Sequence, residues 1–140
     1  MSQKPWSISK LEIRAPQTVR AWPLARVELV SDTRGRVADM ASAAGPLEAV
    51  LAAVAQIVGV DARVDALEIR YIPQELAARA PGAGDGTIFG TISLHLNGAT
   101  SCGAAWANDV LICCVEAYLD AVETALKQRG QICQSLEGGR

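Results

Sequence analysis

Residue types that carry out covalent chemistry are few and scattered in this chain. His95 is the only histidine, and Cys102, Cys113, Cys114 and Cys133 show no CxxC spacing. A zinc site needs several such ligands converging, so no metal is expected, and nothing in the pattern implies a cofactor. A serine nucleophile would need a base and a Gly-x-Ser-x-Gly elbow, and the sequence has no such elbow. Cys102 stands just before Gly103; a helix N-terminus there would lower its thiol pKa, but no base accompanies it. Cys113-Cys114 reads as two small apolar residues on a helix face. What remains is binding chemistry. Gly45-Pro46-Leu47-Glu48 and Asn108-Asp109 each place an acid at the expected start of a helix. Unpaired N–H groups and a positive dipole end suit a carboxylate there, and Glu48 or Asp109 can receive an ammonium. Gly45 allows a ligand close to the backbone. The same acids also stabilise their own helices by about 0.3–1 kcal/mol with no ligand present.

The elements that position these residues come in two similar sets. Leu11-Glu12-Ile13-Arg14 recurs as Leu67-Glu68-Ile69-Arg70, 56 residues later. After the first copy, Ala25 to Val30 alternates apolar and polar with period two, the mark of a half-buried strand. Asp32 to Gly35 then supplies turn residues, and Val37 to Met40 resumes an extended pattern. After the second copy, Thr87 to Leu96 alternates in the same way, and Asn97-Gly98 is a type I′ hairpin signal. Ala99 to Gly103 is the expected return strand.

A helix follows each triplet of strands. Pro46 suits the first helical position, Leu47, Val50, Leu51, Val54 and Val58 form a 3.6-residue stripe, and Gly59 closes the helix. In the second set Asn108 or Asp109 is the N-cap. Leu111, Cys114, Val115, Tyr118, Leu119, Val122 and Leu126 make the stripe, and Gly130 ends the helix. Val110, Cys113, Ala117 and Ala121 widen that stripe beyond what one sheet covers, which implies a partner surface. Tyr71 and Tyr118 read as core or interface residues. His95 alternates with Leu94 and Leu96 and is expected to be exposed. The stretch from Gln74 to Gly86, with Pro81, Gly82 and Gly84, reads as a loop. Its glycines lead into a strand, so it lacks the helix N-terminus of a phosphate loop.

The pattern predicts an α+β fold: two βββα units, about 6–60 and 64–130, forming one domain with helices on antiparallel sheets, and a flexible tail over 131–140. With 140 residues, 50% hydrophobic and 20% charged, the chain suits one ordered domain and cannot contain a (β/α)8 barrel of roughly 250 residues. A net charge of −2 and 4% aromatics argue against nucleic acid. The sequence opens without the apolar stretch of a signal peptide, and Leu47 to Val60 is too short to span a bilayer. A cytoplasmic setting with reduced thiols follows as the expectation.

Two βββα units with Ala43-Ala44-Gly45-Pro46-Leu47-Glu48-Ala49 at the first helix resemble the C-terminal regulatory domain of the α-isopropylmalate synthase and citramalate synthase family. That family enters its first helix through Gly-x-Gly-Pro-Val-Asp-Ala. This chain keeps Gly45, Pro46 and Ala49, with Leu47 and Glu48 as replacements and Ala43 in place of the first glycine. The second unit of the family is echoed by Gly103 to Asp109 and by Ala117-Tyr118 in a long helix. The likeness covers roughly Trp6 to Leu126. It implies a homodimer that binds a branched-chain amino acid, leucine foremost, for feedback control, with Ala43, Gly45, Pro46, Glu48, Gly103, Asn108 and Asp109 around the ligand. It also implies no enzymatic activity for this chain alone, because the family's catalytic barrel is not in it. A separately encoded catalytic chain is then a further partner if the chain is a natural subunit. The alternative is a ligand-free dimerisation module, favoured by the methyl group of Ala43.

Overall fold

A computed structural model of the chain describes residues 6–14, 21–80 and 86–138. The elements run β1 (Ser7–Arg14), β2 (Leu24–Ser31), β3 (Gly35–Ser42), α1 (Pro46–Val58), β4 (Ala62–Tyr71), α2 (Gln74–Ala77), β5 (Ile88–Leu96), β6 (Ala99–Ala107) and α3 (Val110–Gly138). They form two three-stranded antiparallel sheets, β1-β2-β3 and β4-β5-β6. The fold is α+β: α1 lies on β2 and β3, α3 lies on β5 and β6, the helices touch each other, and α3 also reaches β1. One hydrophobic core runs through both units.

The units match in register as well as in order. In β1 an extra residue, Ser9, interrupts the ladder between Ile8 and Lys10; in β4 Asp65 does so between Val64 and Ala66. Each bulge falls two residues before the repeated Leu-Glu-Ile-Arg. Leu11 faces Val27, and Leu67 faces Ile92. The β5–β6 turn has positive φ at Asn97 (53°) and Gly98 (82°), the type I′ geometry its sequence calls for. The β2–β3 turn is one residue longer: Ser31 pairs with Gly35, where Leu96 pairs with Ala99. Its Ser31 hydroxyl accepts from the N–H groups of Thr33 and Arg34. From β3 onward the units correspond at a constant spacing, Pro46 opening α1 and Val110 opening α3.

That spacing extends to the covering of sheet edges. Asp120 of α3 accepts the N–H of Ala104 on edge strand β6 at 2.9 Å. The corresponding residue of α1 is Gln56, whose amide, oriented to satisfy its neighbours, donates to the Met40 carbonyl on edge strand β3 (3.0 Å) and to Asp39 Oδ2 (3.2 Å). Each helix thus satisfies a backbone group that an open edge would offer to another strand.

The buried helix faces also coincide. Ala49, Val50, Ala53, Val54 and Ile57 are buried on α1, and Cys113, Cys114, Ala117, Tyr118 and Ala121 on α3. This corrects the expected stripe of α1: Leu47, Leu51 and Val58 are only half-buried, because the small residues Ala49 and Ala53 turn to the sheet. Of the four residues that widen the α3 stripe, Cys113, Ala117 and Ala121 are buried within this one chain, and Val110 is half-buried. Helix and sheet approach closely at Gly103, where an added Cβ would stand 2.3 Å from the Ala117 carbonyl oxygen and 2.3 Å from the Ala121 nitrogen. Beside it, Ser101 Oγ donates to the Ala121 carbonyl at 2.7 Å.

Two further expectations change. Gln74–Ala77 is a short helix inside what the sequence presents as loop, and β6 continues to Ala107. The backbone of α3 passes Gly130 and remains helical to Gly138, so the segment expected as a flexible tail from 131 is helix to that point. A single interior glycine costs only about 1 kcal/mol, and its neighbours Arg129 and Gln131 are good helix formers. Gly82 and Gly84, and the side chain of Cys133, lie outside the described residues.

We expect Gly103→Ala to destabilise the protein by about 2–3 kcal/mol in denaturant titrations, because helix backbone must move to admit the methyl group. Burial, then the charge of Glu116, pushes the Cys113 thiol up. Burial, then Cys113 and Asp109, pushes Cys114 up to about 11. A raised folded pKa gives stability that is complete below the unfolded value and is lost as pH rises through the folded one. Melting temperature should therefore fall as pH rises from about 9 to 11, and Cys114→Ala should flatten that fall.

Candidate functional site

The first turn of α1 begins at Gly45, whose backbone is extended (φ −131°) and whose carbonyl accepts the Ala49 N–H at 3.0 Å. Pro46 occupies the first helical position with no donor to satisfy. Space above Gly45 is open: an added Cβ would meet only the Glu48 carboxyl, at 4.0 Å. Glu48 is exposed, two residues after Pro46. Ala43 is half-buried against the core, and its N–H donates to the Pro23 carbonyl at 3.4 Å.

The second set of candidate residues is engaged within its own unit. Asp109 is the N-cap of α3, its Oδ1 accepting the Ile112 N–H at 3.0 Å. Asn108 Oδ1 accepts the Thr87 N–H at 3.2 Å and ties the start of β5 to the start of α3. Gly103 lies buried under α3 with the space above it filled, so its role is close packing and not admission of a ligand. The two helix starts are therefore unlike, and only that of α1 keeps its acid clear of an internal bond.

Beside Glu48 runs a groove of about 430 Å³ between α1 and β4, walled by Leu47, Leu51, Ala55, Ala62, Val64 and Leu67. Tyr118 of α3 also lines it. That tyrosine is 1% exposed. Burial, then the nearby charge of Asp61, pushes its pKa up to about 12, so it is a neutral donor at physiological pH. Of the seven residues expected around a ligand, Glu48 lines this groove, and Ala43, Gly45, Pro46, Gly103, Asn108 and Asp109 do not. The half-buried leucines of α1, displaced from the core by Ala49 and Ala53, are the ones that wall it.

Other chemistry finds no seat. Cys102 lies exposed in the middle of β6, opposite Ser93 and away from any helix start, which removes the expected reason for an activated thiol. His95 is half-buried on the same sheet face, with Nδ1 3.3 Å from Thr100 Oγ1. Among the described residues no three His, Cys, Asp or Glu side chains cluster to hold a metal ion. No helix of the described residues is long and apolar enough to cross a membrane.

Neither a scan against protein-family models nor a search of curated proteins finds a match for this chain.

Sequence reasoning reached Glu48 through its place at a helix start, but missed Leu51, Ala55, Ala62, Val64 and Tyr118 as neighbours. The 56-residue repeat contained a usable signal: it sets Trp6 against Ala62 and Ile8 against Val64, a loss of bulk at matching positions.

Asp109→Ala should lower stability by about 1 kcal/mol, as for loss of an N-cap. It should leave amino-acid binding unchanged, a pair of results that denaturant titration and calorimetry will test together.

Proposed function

We propose that the chain is a regulatory module, working as a cytoplasmic homodimer, that binds a branched-chain amino acid, leucine first, and controls a synthase resembling α-isopropylmalate synthase. The catalytic chain is a separate partner in this reading, and this chain contributes no catalysis of its own. The observation that carries the reading is the junction of Glu48 with the groove walled by Leu47, Leu51 and Leu67. A branched side chain fits the apolar walls, an ammonium fits the carboxylate, and the open N–H groups of the first turn of α1 suit a carboxylate. Two βββα units are the architecture that the resemblance implies, which supports the reading at the level of fold alone.

A ligand-free interaction module is the second reading. It is favoured by the engagement of Gly103, Asn108 and Asp109 in packing, turn and cap contacts.

Thermal melts with each branched-chain amino acid at millimolar concentration separate the two. A ligand at a hundredfold excess over Kd stabilises the native state by about 2.7 kcal/mol. We expect leucine to raise the melting temperature and Glu48→Gln to abolish the rise. No shift with leucine, isoleucine or valine would leave the interaction module.

A further inference from the structure

The groove beside α1 has a twin. A second cavity, of about 150 Å³, is lined by Trp6, Ser7, Ile8, Glu116 and Leu119, where α3 meets β1. The correspondence between units carries Trp6 onto Ala62, Ile8 onto Val64, Glu116 onto Ala52 and Leu119 onto Ala55, and all four counterparts line the larger groove. The two hollows are therefore the same place in the two halves of the fold. In one, an indole and a leucine narrow the space to about 150 Å³, with the Arg34 guanidinium 5.3 Å from the indole centroid. In the other, alanines stand at those two positions and the space is open. Divergence has also altered the polar groups: the position of Glu48 is Ile112 in α3, and that of Tyr118 is Val54 in α1. Each hollow is lined by one acid, Glu48 in the larger and Glu116 in the smaller, and the larger is also lined by Tyr118.

We propose that the α1–β4 groove binds a small amphipathic amine, seating its apolar body between Ala55 and Ala62 and its ammonium at Glu48. The body takes the volume that the Trp6 side chain occupies in the twin, and a polar atom on the ligand meets the Tyr118 hydroxyl. This rests on the effector reading and adds to it the seat of the apolar body, the volume left open by Ala55 and Ala62, and a contact with Tyr118. Burying an apolar group in a preformed groove supplies the affinity, while one carboxylate and one hydroxyl fix orientation.

Restoring the twin's plug tests it. Ala55→Leu and Ala62→Trp each fill the groove with the side chain found in the other copy, and a melting curve without ligand reports whether each variant folds. Calorimetric titrations use leucine and tryptamine, the latter presenting an indole and a single ammonium. We expect either variant to weaken binding at least tenfold, Glu48→Gln to do the same, and Tyr118→Phe to weaken binding of leucine several-fold. Leucine that binds equally well to wild type and to both filled variants would overturn the groove while leaving the effector reading in place. Tryptamine binding that is lost on filling, with no leucine binding, would sustain the groove and overturn the branched-chain ligand. Absence of binding by either probe would overturn both.

Discussion

Gly103 sits so close beneath α3 that the helix backbone between Ala117 and Ala121 occupies the place of its missing side chain. Much of the structure depends on that approach. It brings the helix down on β6, where Asp120 reaches the Ala104 N–H and the Ser101 hydroxyl reaches the Ala121 carbonyl. Only small residues fit along the line of contact, which accounts for Cys113, Ala117 and Ala121 on the buried face. Held there, α3 presents Tyr118 toward the groove and Leu119 toward β1. α1 uses Ala49 and Ala53 at the corresponding positions and leaves Leu47 and Leu51 beside the sheet.

The two units conserve what builds the fold and differ in what lines the hollow beside each helix. Bulges, strand pairing, edge covers and buried helix positions recur at matching places. The hollows do not: indole and leucine in one become alanines in the other, and an isoleucine position becomes Glu48. The alanines leave apolar surface of the larger groove facing water beside the Glu48 carboxylate. Removing that surface from water is the physical basis for assigning an amphipathic ligand to it.

Much of this was legible in sequence, because it rests on local rules. The repeated Leu-Glu-Ile-Arg, the period-two alternation of β2 and β5, Asn97-Gly98 and Pro46 marked strands, turn and helix start. The phase of α1 was not legible: a hydrophobic stripe through Leu47 and Leu51 has the right period, and only the sheet's demand for small residues turns it toward Ala49 and Ala53. Gly103 looked like a ligand contact for a similar reason, since a glycine that admits a helix and one that admits a ligand are identical in sequence. Asn108 and Asp109 were visible as a helix start, but their bonds to Thr87 and Ile112 depend on tertiary placement. At Glu48 a local rule and the tertiary structure agree, which is why it alone of the acids came through as a candidate.

Amide chemical shifts offer the most direct measurement of where a ligand sits. Titrating leucine into the isotopically labelled chain should move the amide signals of Glu48, Leu51, Ala55, Ala62 and Val64 together, while Ile8 and Leu119 in the twin hollow stay still. Shifts centred on Ile8 and Leu119, or on Asn108 and Asp109 at the start of α3, would contradict the assignment of the open groove as the binding site.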